Sequence, residues 1–119
     1  MDRVRFITHQ GRQVLLVDST NATLEEGIRI ADKARALVST QPLHSALILI
    51  DITGAEISHE SVTHSKEVIA LDRPYVKRTA LVGADRLPNA FYDAIKRFSQ
   101  RDFTRFKTRE EALDWLVAE

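Results

Sequence analysis

Two short runs, "QVLLVDS" (Gln13 to Ser19) and "SALILID" (Ser45 to Asp51), constrain this chain more than any other feature. Each is almost wholly apolar over the length of one strand. A strand with one wet face alternates apolar and polar residues, whereas a strand covered on both faces does not. The stretch between them carries helix signals. "TNAT" is a turn, and Thr23 with Glu26 has the spacing of a capping box. A helix is expected from about Leu24 to Ser39. Leu24, Ile28, Ala31, Ala34 and Val38 fall near one face, and Glu25 is placed to pair with Arg29. Pro42 in "TQPLH" ends it. Two buried strands joined through a helix must lie parallel, with a right-handed crossover.

The remaining segments extend this pattern. "VRFITH" (Val4 to His9) is joined to the first apolar run by "QGR", which reads as a β-hairpin. After "TGAE", a second helix is expected from about Ser58 to Leu71, burying Val62, Ile69 and Ser65 and stopping before Pro74. "RTALVG" (Arg78 to Gly83) is a fourth strand. A third helix has Pro88 in its first turn and an apolar stripe of Leu87, Phe91, Ala94, Ile95 and Phe98. "DFTRFK" is a short fifth strand. Thr108 with Glu111 opens a last helix carrying Ala112, Leu113, Leu116 and Val117. The order β-β-α-β-α-β-α-β-α predicts an α/β fold: a mixed, mostly parallel sheet with an N-terminal β-hairpin and about four helices.

Length and composition limit the function classes. The 119 residues suit a single domain, 1–119. With 44% apolar and 29% charged residues the balance is that of a globular chain. The absence of cysteine excludes disulfides, thiolate chemistry and cysteine-ligated zinc. Seventeen basic residues offset seventeen acidic ones, so no global charge points to nucleic acid or an anionic membrane. The longest apolar run, "ALILI", is too short to span a bilayer, and "MDRVRFITHQGR" lacks the apolar core of a signal peptide. A cytoplasmic location is expected.

Candidate chemistry gathers around "DITGAEISHESVTHSK", Asp51 to Lys66. "HESVTH" resembles the zinc-protease pattern H-E-x-x-H with one residue too many. On a helix, His59 and His64 would point roughly 140° apart, so no metal site is expected. Asp51 ends a buried strand, and ligands of open α/β sheets gather at the carboxyl ends of strands. Asp18, Gly83 and Asp85 belong to the same edge, and carboxylates there could hold a hard cation such as Mg²⁺. The alternative is that Asp51 and Thr53 satisfy loop N–H groups. Ser58, Glu60 and Ser61 fall at the start of the second helix, where the dipole favours an anion and where Ser58 is also a natural N-cap. The run from Lys96 to Arg109 carries six basic residues against one acid, interleaved with Phe98, Phe103 and Phe106. That pattern can bind single-stranded nucleic acid, but the phenylalanines read better as core with the basic residues on a solvated face. No G-x-S-x-G, G-x-G-x-x-G or G-x-x-x-x-G-K is present, and no cofactor or catalytic set is implied.

The element order, with "ALILIDITGAEISHES" at its centre, resembles the STAS (SpoIIAA-like) fold of anti-sigma-factor antagonists and transporter cytoplasmic domains. In that family a strand ends in D-L-S-G and D-S-S-G follows at the start of a helix. "DITG" (Asp51 to Gly54) matches the first part, and "HESV" (His59 to Val62) takes the place of the second. The resemblance puts the family's phosphorylated serine at Glu60, which cannot be phosphorylated, and the following serine at Ser61. "ALVG" with "FKTREEALDWLV" is similar to small stand-alone proteins described as STAS/SEC14-like. That kinship implies an apolar ligand pocket. "VLLVDSTNATLEEGIRIA" and "LILIDIT" also resemble a response-regulator receiver, in which Asp18 would help bind Mg²⁺ and Asp51 would take the phosphoryl group. Against the receiver stand the single acid after the first strand, the short gap from Asp18 to Asp51, and the extra N-terminal strand.

The resemblance to STAS domains implies a non-catalytic regulatory or protein-interaction module without the phosphorylatable serine. The alternatives are a receiver-like phosphoacceptor and a small-molecule or lipid binder. Asp51, Thr53, Ser58, Glu60, Ser61, Gly83 and Asp85 are the expected binding residues. A protein partner or small ligand is expected at the N-terminus of the second helix, and homodimerisation is compatible with the sequence.

Overall fold

The computed structural model describes residues 2–100 and 102–118, with residue 86 described by its backbone alone. Arg101, part of the basic run, therefore lies outside the described residues. Strands β1 (Val4–His9) and β2 (Arg12–Asp18) form an antiparallel hairpin in the register Val4 to Val17 and His9 to Arg12. Its two-residue loop is Gln10 (φ 50°) and Gly11 (φ 78°). Positive φ at both positions is what a tight hairpin needs to match the twist of its strands, and glycine adopts it without strain.

Helix α1 (Leu24–Val38), β3 (Ala46–Asp51), α2 (His59–Asp72), β4 (Val76–Val82), a 3₁₀ turn (84–86), α3 (Asn89–Ser99), β5 (Asp102–Phe106) and α4 (Arg109–Val117) follow. The sheet order is β1-β2-β3-β4-β5, with every pair after the hairpin parallel. The architecture is the mixed α/β arrangement read from the sequence.

Sequential strand order decides where the helices go. Each right-handed crossover steps to the next strand in the same direction, so α1, α2 and α3 fall on one face. Leu15, Val17 and Ile48 meet Ile30, Ala34 and Val38 of α1 there, while Leu81 and Phe103 meet Val62 of α2 and Tyr92 and Ile95 of α3. The opposite face, with Val14, Leu16, Leu47, Leu49, Ala80 and Val82, is covered by α4 through Ala112, Leu116 and Val117. This is why β2 and β3 are apolar without alternation: both of their faces are buried.

The caps work as their residues predict, with one difference. Thr23 Oγ1 accepts from the Glu26 amide at 3.2 Å, and Glu26 Oε1 accepts from the Thr23 amide at 3.1 Å. At α4 only half of the box forms. Thr108 Oγ1 accepts from the Glu111 amide at 3.2 Å, while the Glu111 carboxylate takes the Thr108 hydroxyl proton at 3.1 Å instead of the backbone N–H.

Two apolar stripes are rotated from the faces that periodicity suggests. In α1 the residues pressed on the sheet are Ile30, Ala34 and Val38; Leu24 is 37% exposed, and Ile28 and Ala31 are half-buried. In α3 the buried residues are Tyr92, Ile95 and Ser99, whereas Phe98 is 42% exposed under the Lys66 ammonium, 5.4 Å from its ring centre. Among the described residues no helix is long and apolar enough to cross a membrane.

Candidate functional site

The carboxyl edge of the sheet carries a repeated local motif, Asp-x-Thr, in "DST" and "DIT". Asp18 and Asp51 are register partners at the ends of β2 and β3. Alternation along each strand directs both side chains to the α4 face. Asp51 Oδ1 accepts from the Thr53 amide at 3.0 Å and its hydroxyl at 2.7 Å. Asp18 Oδ1 repeats this with Thr20 at 3.1 and 2.7 Å. Each aspartate thus caps its own loop, which is the familiar use of Asp and Thr at strand ends.

Arg109, the first residue of α4, bridges the two. Its Nε donates to Asp51 Oδ2 at 2.6 Å, and its Nη2 lies 3.3 Å from Asp18 Oδ1. Asp51 is only 5% exposed, so its charge is tolerable because donors meet both of its oxygens. Burial pushes the Asp18 carboxyl up, but the Thr20 hydroxyl and amide and the Arg109 and Arg3 charges outweigh it and hold the group below the usual carboxylate range. Among the described residues no three His, Asp or Glu side chains come together as a metal site would need.

Gly83 closes this edge. Its φ is +79°, and a Cβ there would stand 2.6 Å from the Thr53 nitrogen and 2.7 Å from the Thr53 Cα. The loop after β3 is sewn to β4 by the Ile52 amide donating to the Val82 carbonyl at 2.9 Å. Gly83→Ala is therefore expected to lose about 2 kcal/mol, from left-handed strain and from displacement of the Thr53 backbone. Urea unfolding measures it; a loss below ~0.5 kcal/mol would show that the loop simply moves aside.

Ser58, Glu60 and Ser61 form a separate group at the start of α2. Ser58 Oγ accepts from the Ser61 amide at 3.0 Å, and Ser61 Oγ accepts from the Ser58 amide at 2.9 Å. The Ser61 hydroxyl also donates to the Ser58 carbonyl at 3.0 Å. Both serines are thus spent on a reciprocal cap, while Glu60 is exposed in the first turn. Asp85 is exposed in the 3₁₀ turn beyond Gly83. His64 pairs with Asp32 at 2.9 Å, and His59 packs edge-on against Phe91 with ring centres 6.1 Å apart. Of the residues expected at the site, Asp51, Thr53 and Gly83 are in one cluster and Ser58, Glu60 and Ser61 in another.

Sequence reasoning did not single out Arg109: the doubled D-x-T was visible, but it carries no signal for a basic residue 58 positions beyond Asp51. An apolar pocket was implied only by the resemblance to STAS/SEC14-like proteins, and the structure has a cavity of about 150 Å³ between the sheet and the three-helix layer. Val17, Ile28, Ala31, Ile48, Val62 and Val68 supply its apolar wall. Asp72, the last residue of α2, lines it and is 7% exposed. Burial pushes the Asp72 carboxyl up to about 7, against the opposing charge of Arg35.

No protein-family model matches the chain, and a search of curated proteins returns no match. Among solved structures, an uncharacterized protein of the DUF3478 family with a SpoIIAA-like fold, from Shewanella loihica PV-4, superposes with a TM-score of 0.70. The alignment covers 96% of this chain and 92% of that one at 20% identity. The fold is SpoIIAA-like. The hairpin, the sequential parallel strands and the one-sided helix layer are the features of a SpoIIAA-like domain, in agreement with the element order. In this SpoIIAA-like domain the braced carboxylates and the capped α2 terminus share the carboxyl side of the sheet, and the cavity lies beneath α1 and α2.

Proposed function

We propose that the chain is a non-catalytic regulatory or protein-interaction module that docks a partner at the N-terminus of α2 without a phosphorylation switch. The observation that carries this reading is the division of labour at that terminus. Both serine hydroxyls are held in the cap, and Glu60 presents a charge beside them. A phosphoryl group on Ser61 would remove the proton that it donates to the Ser58 carbonyl and disrupt the box. A carboxylate in the first turn is stabilised by the helix dipole, so the negative feature is permanent instead of regulated. Affinity capture with the wild-type chain and with Glu60→Lys tests this. Partners retained by the first should be lost by the second, and identical sets would remove this face from consideration.

A second reading has its own support: a small-molecule binder using the cavity under α1 and α2. The half-buried positions of Ile28 and Ala31, which line open volume instead of the sheet, favour it. The phosphoacceptor reading has less support, since a donor to Asp51 would first have to displace Arg109 and the Thr53 hydroxyl.

A further inference from the structure

Two aspartates of this chain are deeply buried, and they are treated differently. Asp51 is met by two donors from Thr53 and by Arg109. Asp72, at 7% exposure, makes no hydrogen bond or ion pair from its side chain among the described residues. No fully enclosed side-chain polar atom lacks a partner among those residues, so the Asp72 oxygens keep contact with open volume. Asp72 lines the cavity.

The surroundings of Asp72 are mostly neutral or negative, and the cation that acts on it is Arg35, which is exposed on α1. It ends α2, which has no basic residue in its last turn, and Ser99 at the end of α3 lines the same cavity. The C-terminal carbonyls of helices are negative poles. Thr79 rises from β4 below, and it is neutral, as Ser99 is. Of the cations nearby, Arg35 on α1 is exposed, and Arg73 gives its guanidinium to the Phe98 carbonyl, with Nε at 3.2 Å. His64 is tied to Asp32, and Glu56 accepts the Leu24 amide at 3.3 Å. The interior therefore presents an apolar wall with one unmatched acid at the helix C-terminal end.

We propose that this cavity binds a small apolar amine, with its hydrocarbon body against Val17, Ile48, Val62 and Val68 and its ammonium against Asp72. The proposal rests on the ligand-binding reading of the cavity given above and names the ligand class. A dry apolar cavity of roughly 150 Å³ accommodates a benzene-sized molecule, so the body is of that order. Burial already lifts the Asp72 carboxyl to about 7. An ammonium needs the ionised form, so binding near neutrality expels a proton from the carboxyl and weakens as pH falls.

Isothermal titration of the full chain at pH 8 with benzylamine, benzyl alcohol and benzoate tests this. Benzylamine is expected to bind at least tenfold more tightly than the alcohol, with benzoate weakest. Its affinity should fall about tenfold per pH unit below pH ~6. Asp72→Asn should abolish the preference for the amine while the alcohol binds as before. Equal affinity for the alcohol, or a pH-independent amine affinity, overturns the amine assignment and leaves a cavity for neutral ligands. Binding of none of the three overturns the ligand-binding reading as well. Ala34→Met, which puts a flexible side chain into the same space, should weaken benzylamine at least tenfold; unchanged binding would place the amine elsewhere and overturn the proposal. The wild-type pH series stands independently of whether either variant folds.

Discussion

Replacing Arg109 by methionine is expected to lower stability by about 3 kcal/mol, with a fall in melting temperature on the order of 10 °C. The loss comes less from the missing attraction than from what it leaves behind. Asp51, 5% exposed, keeps its Thr53 donors but has nothing opposite Oδ2, and Asp18 loses its strongest neighbouring cation. Removing one member of a buried pair is much more damaging than replacing the whole pair with neutral groups. The discriminating measurement is a double-mutant cycle. Asp51→Asn introduced into Arg109→Met should recover a large part of the loss, although alone in the wild type it destabilises. A loss under ~1 kcal/mol for Arg109→Met, or strictly additive effects, would mean that the Arg109 contact is a surface pair of little consequence.

The second large effect has the opposite sign. Asp72→Asn is expected to stabilise the protein at pH 8 and to leave it little changed at pH 3. The carboxyl is raised to about 7 by burial from an ordinary value of 3.8. Below ~4 it is protonated whether the chain is folded or not, so it contributes no pH dependence. Between about 4 and 7 the unfolded chain gives up this proton while the folded one retains it, so the folded state binds more protons and stability falls as pH rises. Above ~7 the full penalty is present, on the order of 3–4 kcal/mol for a carboxyl displaced that far. Urea unfolding from pH 3 to 8 should show the advantage of Asp72→Asn over the wild type growing from near zero to its full value, whatever the other carboxylates, such as the lowered Asp18, add to both curves. Parallel curves for the two proteins would show that Asp72 ionises freely in the folded state.

Much of the fold was legible because its signals are local. Non-alternating apolar runs marked β2 and β3, Gly11 marked the hairpin, and Thr23 and Ser58 marked helix starts. The crossover rule then made the strands after the hairpin parallel, while their sequential order in the sheet came only with the structure. What was not legible depends on meetings across the chain. Arg109 is separated from Asp51 by 58 positions, and no local pattern ties a basic residue at a helix start to a carboxylate at a strand end. Periodicity also says which residues avoid water, but not whether the space that they face is filled. Leu24, Ile28 and Ala31 have the spacing of a core stripe and line the cavity instead. Phe98 fell outside its stripe because the turn of α3 that meets the sheet presents Ser99. Asp72 lay just beyond the expected end of the second helix at Leu71, and nothing local marked it as buried; in the structure it ends α2 and is 7% exposed.

The one-sided placement of the helices has a consequence for how the protein is made. As the chain leaves the ribosome, β2, β3 and β4 can pair and receive α1 to α3 as each is completed. Val14, Leu16, Leu47, Leu49, Ala80 and Val82 would meanwhile face water, because α4, the last described element in chain order, is what covers them. Until α4 emerges, the nascent chain would therefore carry a bare apolar sheet face of the kind that aggregates or recruits chaperones. Arg109, which begins α4, would be the first residue to bring it back to the sheet.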